Sequence, residues 1–127
     1  MTAASQLSPV IRIVDDDDRV RESVAFVLQI DGHQTEEYES AEDFLKFSDF
    51  ERPGCIVLDI RMPGMSGLEL QLELKNRGST IPILFLTGHG DMAAAVMALK
   101  RGAADFVAKP IEPEVLQSSV RNLVHWH

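Results

Sequence analysis

An alternation of strand-like runs with longer segments of helical period constrains the fold of this chain most strongly. The strand-like runs occupy residues 10–14, 34–38, 55–58, 81–86 and 105–108, and all except the polar second run are mainly apolar. Helices are predicted over residues 20–30, after a capping Ser40, from Ser66 and Gly67 to Gly78, and over residues 91–100 and 113–124. This order is typical of βα units that form one parallel sheet with helices on both faces.

The composition narrows the class of protein. With 127 residues, of which 45% are hydrophobic, the chain can form one compact domain without disulfides. Its one cysteine, Cys55, excludes an internal disulfide and fits a reducing compartment. A formal net charge of −8, from 12 basic and 20 acidic residues, makes the chain a poor nucleic-acid binder by itself. Any contact with DNA would therefore have to come from elsewhere.

The domain organisation is expected to be simple. Residues 1–9 are predicted to be a flexible arm, residues 10–124 one domain, and residues 125–127 a tail or the start of a linker. The N-terminal segment lacks the basic and apolar regions of a secretory signal, and no apolar run approaches the ~18 residues of a membrane span. We expect a cytoplasmic protein without membrane contact.

The amphipathic segments predict which side chains enter the core. The expected core residues of the first three helices are Val20, Val24, Val27, Leu28, Phe44, Leu45, Phe47, Leu68, Leu70 and Leu72. The fourth helix is apolar on more than one face, through Ala93, Ala94, Val96, Met97 and Leu99. Two interpretations stay open for it: close packing of an Ala-rich helix, or an exposed surface for a partner.

Polar side chains lie at the carboxyl ends of four predicted strands. Four aspartates, residues 15–18, follow the first strand, Asp59 follows the third, Thr87 ends the fourth and Lys109 follows the fifth. In an open parallel sheet, the functional crevice lies beyond these strand ends. Crowded carboxylates require a neutralising cation, and oxygen ligands without His or Cys favour Mg²⁺.

This set of residues predicts phosphoryl transfer. With Mg²⁺ and Lys109 present, Asp59 can remain ionised and attack a phosphoryl group to give an aspartyl phosphate. Thr87 would then donate a hydrogen bond to one phosphoryl oxygen, while Lys109 neutralises another.

Some of the polar residues have simpler interpretations. Asp17 and Asp18 are expected to cap the first helix. A calcium loop is disfavoured, because Val20 stands where such a loop requires glycine. His125 and His127 have no further metal ligands nearby in the sequence, and a frayed tail is the preferred interpretation.

Four segments together resemble the receiver domain of bacterial two-component response regulators. They are IRIVDDD at residues 11–17, LDIRMPGMSG at 58–67, LTGHGD at 86–91 and AADFVAKP at 103–110. The likeness covers residues 9–124. It implies a flavodoxin-like (βα)5 three-layer sandwich whose five-stranded parallel sheet has the order 2-1-3-4-5. The TGHGD segment is most similar to the FixJ-like transcriptional subgroup.

The resemblance implies a metal site at Asp15, Asp16, Asp59 and Arg61. Asp59 would be the phosphoacceptor, and Asp16 would ligate Mg²⁺ directly. Asp15 would hold the metal largely through water. The main-chain carbonyl of Arg61 would be a further metal ligand.

The resemblance also implies a switch. Thr87 and Lys109 would bind the phosphoryl group, Phe106 would occupy the aromatic switch position, and the Lys109–Pro110 peptide would be cis. Phe106 stands where many members of the family have Tyr, so burial of an apolar ring would have to drive its rotation. Gly88 leaves extra space beside Thr87.

The partners implied are a sensor histidine kinase, as phosphodonor, and a second copy of the chain on phosphorylation. The resemblance implies contact with DNA only through an output domain that is absent here. The protein would be a switch of output, in this subgroup of transcription, and not an enzyme. One alternative is a haloacid-dehalogenase-like aspartyl phosphatase, which needs a second carboxylate where Arg61 stands. The other is a flavodoxin-like cofactor-binding domain, in which the four aspartates after the first strand would repel a bound phosphate.

Overall fold

Five parallel strands form the centre of the molecule. The structure is a computed structural model that describes residues 8–126, with the backbone alone at residues 125 and 126. The strands are β1 (Val10–Val14), β2 (Gln34–Tyr38), β3 (Gly54–Asp59), β4 (Ile83–Thr87) and β5 (Asp105–Ala108). Their order in the sheet is β2-β1-β3-β4-β5, with every neighbouring pair parallel. The predicted fold class and strand order are confirmed.

Five helices connect and cover the strands. They are α1 (Asp18–Ile30), α2 (Ala41–Phe47), α3 (Gly67–Asn76), α4 (Met92–Lys100) and α5 (Pro113–Trp126). Residues 1–7 of the predicted N-terminal arm lie outside the described residues. Residue 127 of the predicted tail lies outside them as well. Helix α5 continues to residue 126, so helical backbone extends two residues past the expected boundary at 124.

The helix caps follow from short polar side chains at the predicted positions. The Asp17 carboxylate accepts hydrogen bonds from the amides of Arg19 and Val20, which confirms its predicted capping role. Ser40 caps α2 in the same way. Ser66 forms a capping box with Glu69, in which each side chain accepts a hydrogen bond from the other residue's backbone. These caps fix where each helix starts relative to the strand before it.

The core consists of two apolar layers, one on each face of the sheet. Ile11 and Ile13 of β1 pack with α1 and α5, whereas Val14 packs with α2, α3 and α4. Strands β1, β3 and β4 are buried along their whole length, while β2 at the edge is partly exposed. This is the pattern expected when helices cover both faces of a parallel sheet.

Two predicted core residues lie on the surface. Phe47, at the end of α2, is 65% exposed, and Leu72 of α3 is 53% exposed. Successive helical residues are about 100° apart, so burial of Leu70 and Leu74 turns Leu72 toward solvent. The prediction was correct for Val24, Leu28, Phe44 and Leu70, and the other expected core residues are partly buried.

Strand β4 begins later than predicted, at Ile83 instead of residue 81. Pro82 precedes it and has no amide hydrogen to donate to a neighbouring strand, although its carbonyl accepts from the amide of Ile56. The strand therefore starts at the first residue able to form both of its ladder hydrogen bonds.

Arg12 is a fully buried arginine in the middle of β1, which the apolar appearance of the VIRIV run did not predict. Its Nη2 donates to the carbonyl oxygens of Asp49 at 2.5 Å and Arg52 at 2.7 Å. Burial lowers the pKa of the Arg12 guanidinium, although nearby acidic groups oppose this shift. Arg12 thus ties the α2–β3 loop to the sheet, at the edge opposite the strand ends discussed next.

Among the residues described, no helix has the length and apolar character needed to cross a bilayer.

Candidate functional site

Three carboxylates meet at the carboxyl edge of the sheet. Asp15 directly follows β1, and Asp59 is the last residue of the neighbouring strand β3, which pairs with β1 in register. Asp15 and Asp59 are buried and Asp16 is exposed. One oxygen from each of the three lies within 4.8 Å of the others. The sheet topology thus brings together residues from two distant segments.

Lys109 supplies a positive charge to this acidic cluster. Its Nζ lies 3.2 Å from Asp59 Oδ1 and 3.7 Å from Asp15 Oδ2. Its backbone amide donates to the carbonyl of Thr87 at 2.8 Å, which places the start of the β5–α5 loop beside the end of β4. The Lys109–Pro110 peptide is cis, as predicted.

Burial and neighbouring charges set the protonation of the cluster. Burial raises the pKa of Asp15 to about 6, with Asp59 adding to the shift, while the Asp17 amide and Lys109 oppose it. Burial also raises the pKa of Asp59, against the opposing effect of Lys109. For Lys109, burial alone would lower the pKa of the ammonium, but attraction to Asp15 and Asp59 raises it. Lys109 is therefore charged. Its single positive charge does not fully offset the effect of burial on the two carboxylates, whose pKa values stay raised.

The cluster fits a hard divalent cation. Asp15 Oδ2 is buried and accepts no hydrogen bond, with Lys109 Nζ 3.7 Å away. The donor set consists of carboxylate oxygens without His or Cys, as Mg²⁺ prefers. Asp15, Asp16 and Asp59 are thus able to hold Mg²⁺.

Of the predicted switch residues, Thr87 lies at this edge, and Phe106 lies further back in the sheet, paired with Phe85. Thr87 is buried at the end of β4, one position beyond Leu86, which pairs with Asp59. Phe106 on β5 is half-buried and packs against the core layer formed by α2, α3 and α4. Its ring is therefore neither fully inside nor fully exposed.

The loop after β3 is held close to the acidic cluster. The backbone amide of Arg61 acts on the Asp59 carboxylate and opposes the rise that burial causes in its pKa. A Cβ at Gly67 would lie 2.2 Å from the Asp59 carbonyl oxygen, so only glycine allows α3 to start this close. On the outer side, the Glu42 carboxylate accepts from the Met65 amide at 2.9 Å, and this hydrogen bond lowers the pKa of Glu42.

The side chain of Arg61 forms an ion pair that the sequence did not indicate. Its Nε donates to Asp91 Oδ1 across the gap between the β3–α3 and β4–α4 loops. The motifs contain both residues, but nothing in their spacing shows that the two loops approach each other. Only the tertiary structure reveals this pair.

Helix α4 packs against the core through alanines and also exposes an apolar surface. Ala95 and Ala98 face the core. Four larger side chains are exposed, and we name them the α4 surface: Met92, Val96, Met97 and Leu99. This surface lies on the helix that directly follows the Thr87 loop.

A groove of about 430 Å³ lies at the opposite, amino edge of the sheet. It is lined by residues of α3, α4 and the segment before β4, among them Gln71, Leu74, Lys75 and Arg101. No member of the acidic cluster lines it, so it has no part in the chemistry of that site.

The fold and the site define a class: a doubly wound α/β domain with an acidic, lysine-bearing cluster at the carboxyl edge of its sheet. Comparison with known proteins narrows this class. The family model of the response regulator receiver domain matches residues 11–121. This chain belongs to the response regulator receiver domain family.

Individual relatives agree with this assignment. The chain is 47% identical over 111 residues to the transcriptional regulatory protein FixJ of Azorhizobium caulinodans, covering 87% of this chain and 53% of that protein. It is 44% identical over 117 residues to the response regulator protein TodT of Pseudomonas putida, covering 92% of this chain and 52% of that protein. The chain therefore spans about half the length of these curated relatives.

The solved structures agree as well. The crystal structure of FixJ-N superposes with a TM-score of 0.86 at 42% identity, over 93% of this chain and 94% of that one. The response regulator StyR superposes with the same TM-score of 0.86 at 42% identity, over 93% of this chain and 60% of that one. The likeness to StyR thus covers only part of that longer chain.

Proposed function

We propose that Asp59 accepts a phosphoryl group from the phosphohistidine of a sensor histidine kinase, in a reaction that requires Mg²⁺. One observation carries this proposal: the Asp59 carboxylate lies 3.2 Å from Lys109 Nζ and within 4.8 Å of ligand oxygens of Asp15 and Asp16. A nucleophile, a cation and a candidate metal site thus converge on one strand end. Membership of the receiver family supports the same reading.

The metal would be held by Asp16 and Asp59 directly, by Asp15 largely through water, and by the main-chain carbonyl of Arg61. When bound, Mg²⁺ neutralises the crowded carboxylates and the charge on the incoming phosphoryl oxygens. The buried Oδ2 of Asp15, which accepts no hydrogen bond, supports this assignment.

The residues of the chain have distinct parts in the transfer. An oxygen of the ionised Asp59 carboxylate forms a bond to phosphorus while the phosphorus–nitrogen bond to the donor imidazole breaks. The imidazole keeps that electron pair and takes up a proton. The Lys109 ammonium stabilises charge on a phosphoryl oxygen, and the Thr87 hydroxyl donates a hydrogen bond to another.

Phosphorylation would then act on output through Thr87 and Phe106. Movement of Thr87 toward the phosphoryl group would draw the β4–α4 loop with it and open space into which the half-buried ring of Phe106 turns. Both changes alter the region formed by α4, β5 and α5. We propose that the α4 surface then pairs two copies of the chain, and that DNA is reached only through a further domain.

Neither alternative function is favoured by an observation. A haloacid-dehalogenase-like phosphatase needs a second carboxylate two residues after the nucleophile, and here Arg61 stands there with its side chain bound to Asp91. A flavodoxin-like cofactor site would place a phosphate against Asp15 and Asp16, which instead form an acidic cluster.

Incubation with acetyl phosphate and Mg²⁺, followed by intact mass measurement, tests the proposal. We expect one added phosphoryl group in the parent chain and none in Asp59→Asn. Asp18→Asn is the matched control, because it removes the same charge from an exposed residue outside the acidic cluster. Stoichiometric phosphorylation of Asp59→Asn would assign the phosphoacceptor elsewhere.

A further inference from the structure

Asp91 is a buried carboxylate outside the acidic cluster. Its side chain is only 7% exposed, whereas that of its ion-pair partner Arg61 is 76% exposed. The pair is a charge-assisted hydrogen bond from Arg61 Nε to Asp91 Oδ1. It joins the loop that begins after Asp59 to the loop that begins after Thr87. The two loops at the phosphorylation site are thus tied together through one side-chain contact.

Asp91 lies where its carboxylate has a second possible partner, the backbone amides in the first turn of α4. Asp91 is the N-cap residue of α4, a position from which aspartate ordinarily accepts hydrogen bonds from first-turn amides. Asp17, Ser40 and Ser66 do this at α1, α2 and α3, but the Asp91 side chain does not. Instead, Asp91 Oδ2 lies 3.3 Å from where a Cβ on Gly88 would be. Helix α4 therefore starts without a side-chain cap while its capping residue binds Arg61.

We propose that the Arg61–Asp91 ion pair is a latch. It holds the β4–α4 loop in its unphosphorylated arrangement, and its release lets Asp91 cap α4. The trigger for this release is phosphorylation of Asp59, so this step rests on the proposed function. Arg61 lies two residues after Asp59 in the chain, so the ion pair begins beside the phosphoacceptor. The phosphoryl group there carries about −1.5 to −2 charge, in place of the single charge of the carboxylate, and its oxygens compete with Asp91 for the guanidinium.

Release of Asp91 from Arg61 would change the loop that follows Thr87, the proposed switch residue. The Asp91 amide donates to the Gly88 carbonyl at 3.2 Å, so Asp91 closes the turn that directly follows Thr87. Its carbonyl accepts the Ala95 amide, which begins α4. A rotation of Asp91 toward the helix therefore changes both the Thr87 loop and the first turn of α4, where Met92 of the α4 surface lies.

Amide hydrogen exchange in the absence of phosphodonor tests directly whether the Asp91 carboxylate caps α4 once it no longer binds Arg61. In Arg61→Ala, the freed Asp91 side chain caps the helix, and we expect the amides of Ala93 and Ala94 to exchange about five-fold more slowly. Arg77→Ala is the matched control, because Arg77, the residue that follows α3, forms an exposed ion pair with Glu73 of that helix. Unchanged or faster exchange in Arg61→Ala would show a simple structural tie and overturn the latch.

Two substitutions at Asp91 provide an independent test. Asp91→Asn keeps a side chain that caps helices well but loses the charge that holds Arg61, so it should slow exchange of Ala93 and Ala94 as Arg61→Ala does. Asp91→Ala loses the ion pair but provides no side chain to cap the helix, so it should not slow the exchange. If Asp91→Ala slows exchange as Asp91→Asn does, or if Asp91→Asn does not slow it, the latch is wrong.

Beryllofluoride with Mg²⁺, a mimic of the phosphoryl group, tests whether phosphorylation releases the Arg61–Asp91 ion pair. We expect the mimic to slow exchange of Ala93 and Ala94 in the parent chain and to add nothing in Arg61→Ala. Bound mimic without slowing in the parent would refute the trigger. Failure of the chain to bind the mimic would count against the proposed function, while the Arg61→Ala comparison still decides the latch.

Discussion

The ammonium of Lys109 lies 3.2 Å from the carboxylate of Asp59, although 50 residues separate them in the chain. The contact exists because β5 and β3 end at the same edge of the sheet, on either side of β4. It makes Lys109 the cation best placed, among the residues described, to stabilise charge on a phosphoryl group at Asp59.

We therefore expect Lys109→Gln to slow phosphorylation by acetyl phosphate about 100-fold, since it removes a preorganised charge from the transition state. The rate is followed by intact mass at saturating Mg²⁺. Lys75→Gln, which alters an exposed lysine of α3, should leave the rate unchanged. Equal rates for Lys109→Gln and the parent would remove Lys109 from the transfer step.

Binding of Mg²⁺ should depend on Asp16. We expect millimolar-range affinity in the parent chain, and Asp16→Asn should weaken it at least about tenfold, because a ligand and a negative charge are both lost. A titration followed by amide chemical shifts measures the affinity. Asp18→Asn, with the same loss of charge outside the cluster, should bind as the parent does. Undiminished binding by Asp16→Asn would contradict the proposed ligand set.

The raised pKa of Asp15 predicts how stability changes with pH. In the folded chain Asp15 holds its proton up to a pH of about 6, whereas in the unfolded chain it ionises near 3.8. The unfolded state thus binds fewer protons in this interval, and the Asp15 contribution to the free energy of unfolding falls as pH rises through it. Above the interval, the ionised buried carboxylate destabilises the fold.

Asp15→Asn should therefore stabilise the chain at pH 7 without Mg²⁺, by about 2 kcal/mol. Urea unfolding between pH 4 and pH 7 measures the difference from the parent, which should be small at the acid end and grow to its full value above about pH 6. A difference that stays constant over the interval would contradict the assignment. Saturating Mg²⁺ should reduce the advantage of the variant.

Arg12 should be a major contributor to stability. Arg12→Met fills similar space but leaves the carbonyls of Asp49 and Arg52 without the donors they have at 2.5 and 2.7 Å. We expect a loss of about 3 kcal/mol in the free energy of unfolding, measured in urea. Arg77→Met, at an exposed ion pair, should cost less than about 1 kcal/mol. Similar losses for the two variants would show that the buried hydrogen bonds contribute little.

The α4 surface should mediate pairing on phosphorylation. We expect beryllofluoride with Mg²⁺ to convert a monomer into a dimer in sedimentation experiments, and Val96→Lys to prevent this by placing a charge in the interface. Phe26→Lys, on the exposed side of α1, is the control and should still dimerise. Persistent monomer in the parent with the mimic bound would instead favour contact with an output domain.

The acidic cluster could be predicted from the sequence because it needs only two facts. The strands are recognisable as apolar runs, and the carboxyl ends of parallel strands share one edge, so the residues after each strand must converge. Asp15, Asp59 and Lys109 each directly follow or end such a run. The caps at Asp17, Ser40 and Ser66 are local for the same reason: a cap involves only the next few residues.

Only the tertiary structure decided the features that depend on how separate segments approach each other. The periodicity of α3 showed that one face is buried, but packing against the sheet selected Leu70 and Leu74 over Leu72. Arg12 is compatible with β1 only because the carbonyls of Asp49 and Arg52 come within its reach.

The Arg61–Asp91 pair likewise joins two loops whose separation no local pattern encodes. Local interactions and strand topology thus determined the site, because a strand end or a cap depends on neighbouring residues alone. The contacts that surround the site depend on distances between loops, which are set only when the two apolar layers pack against the sheet.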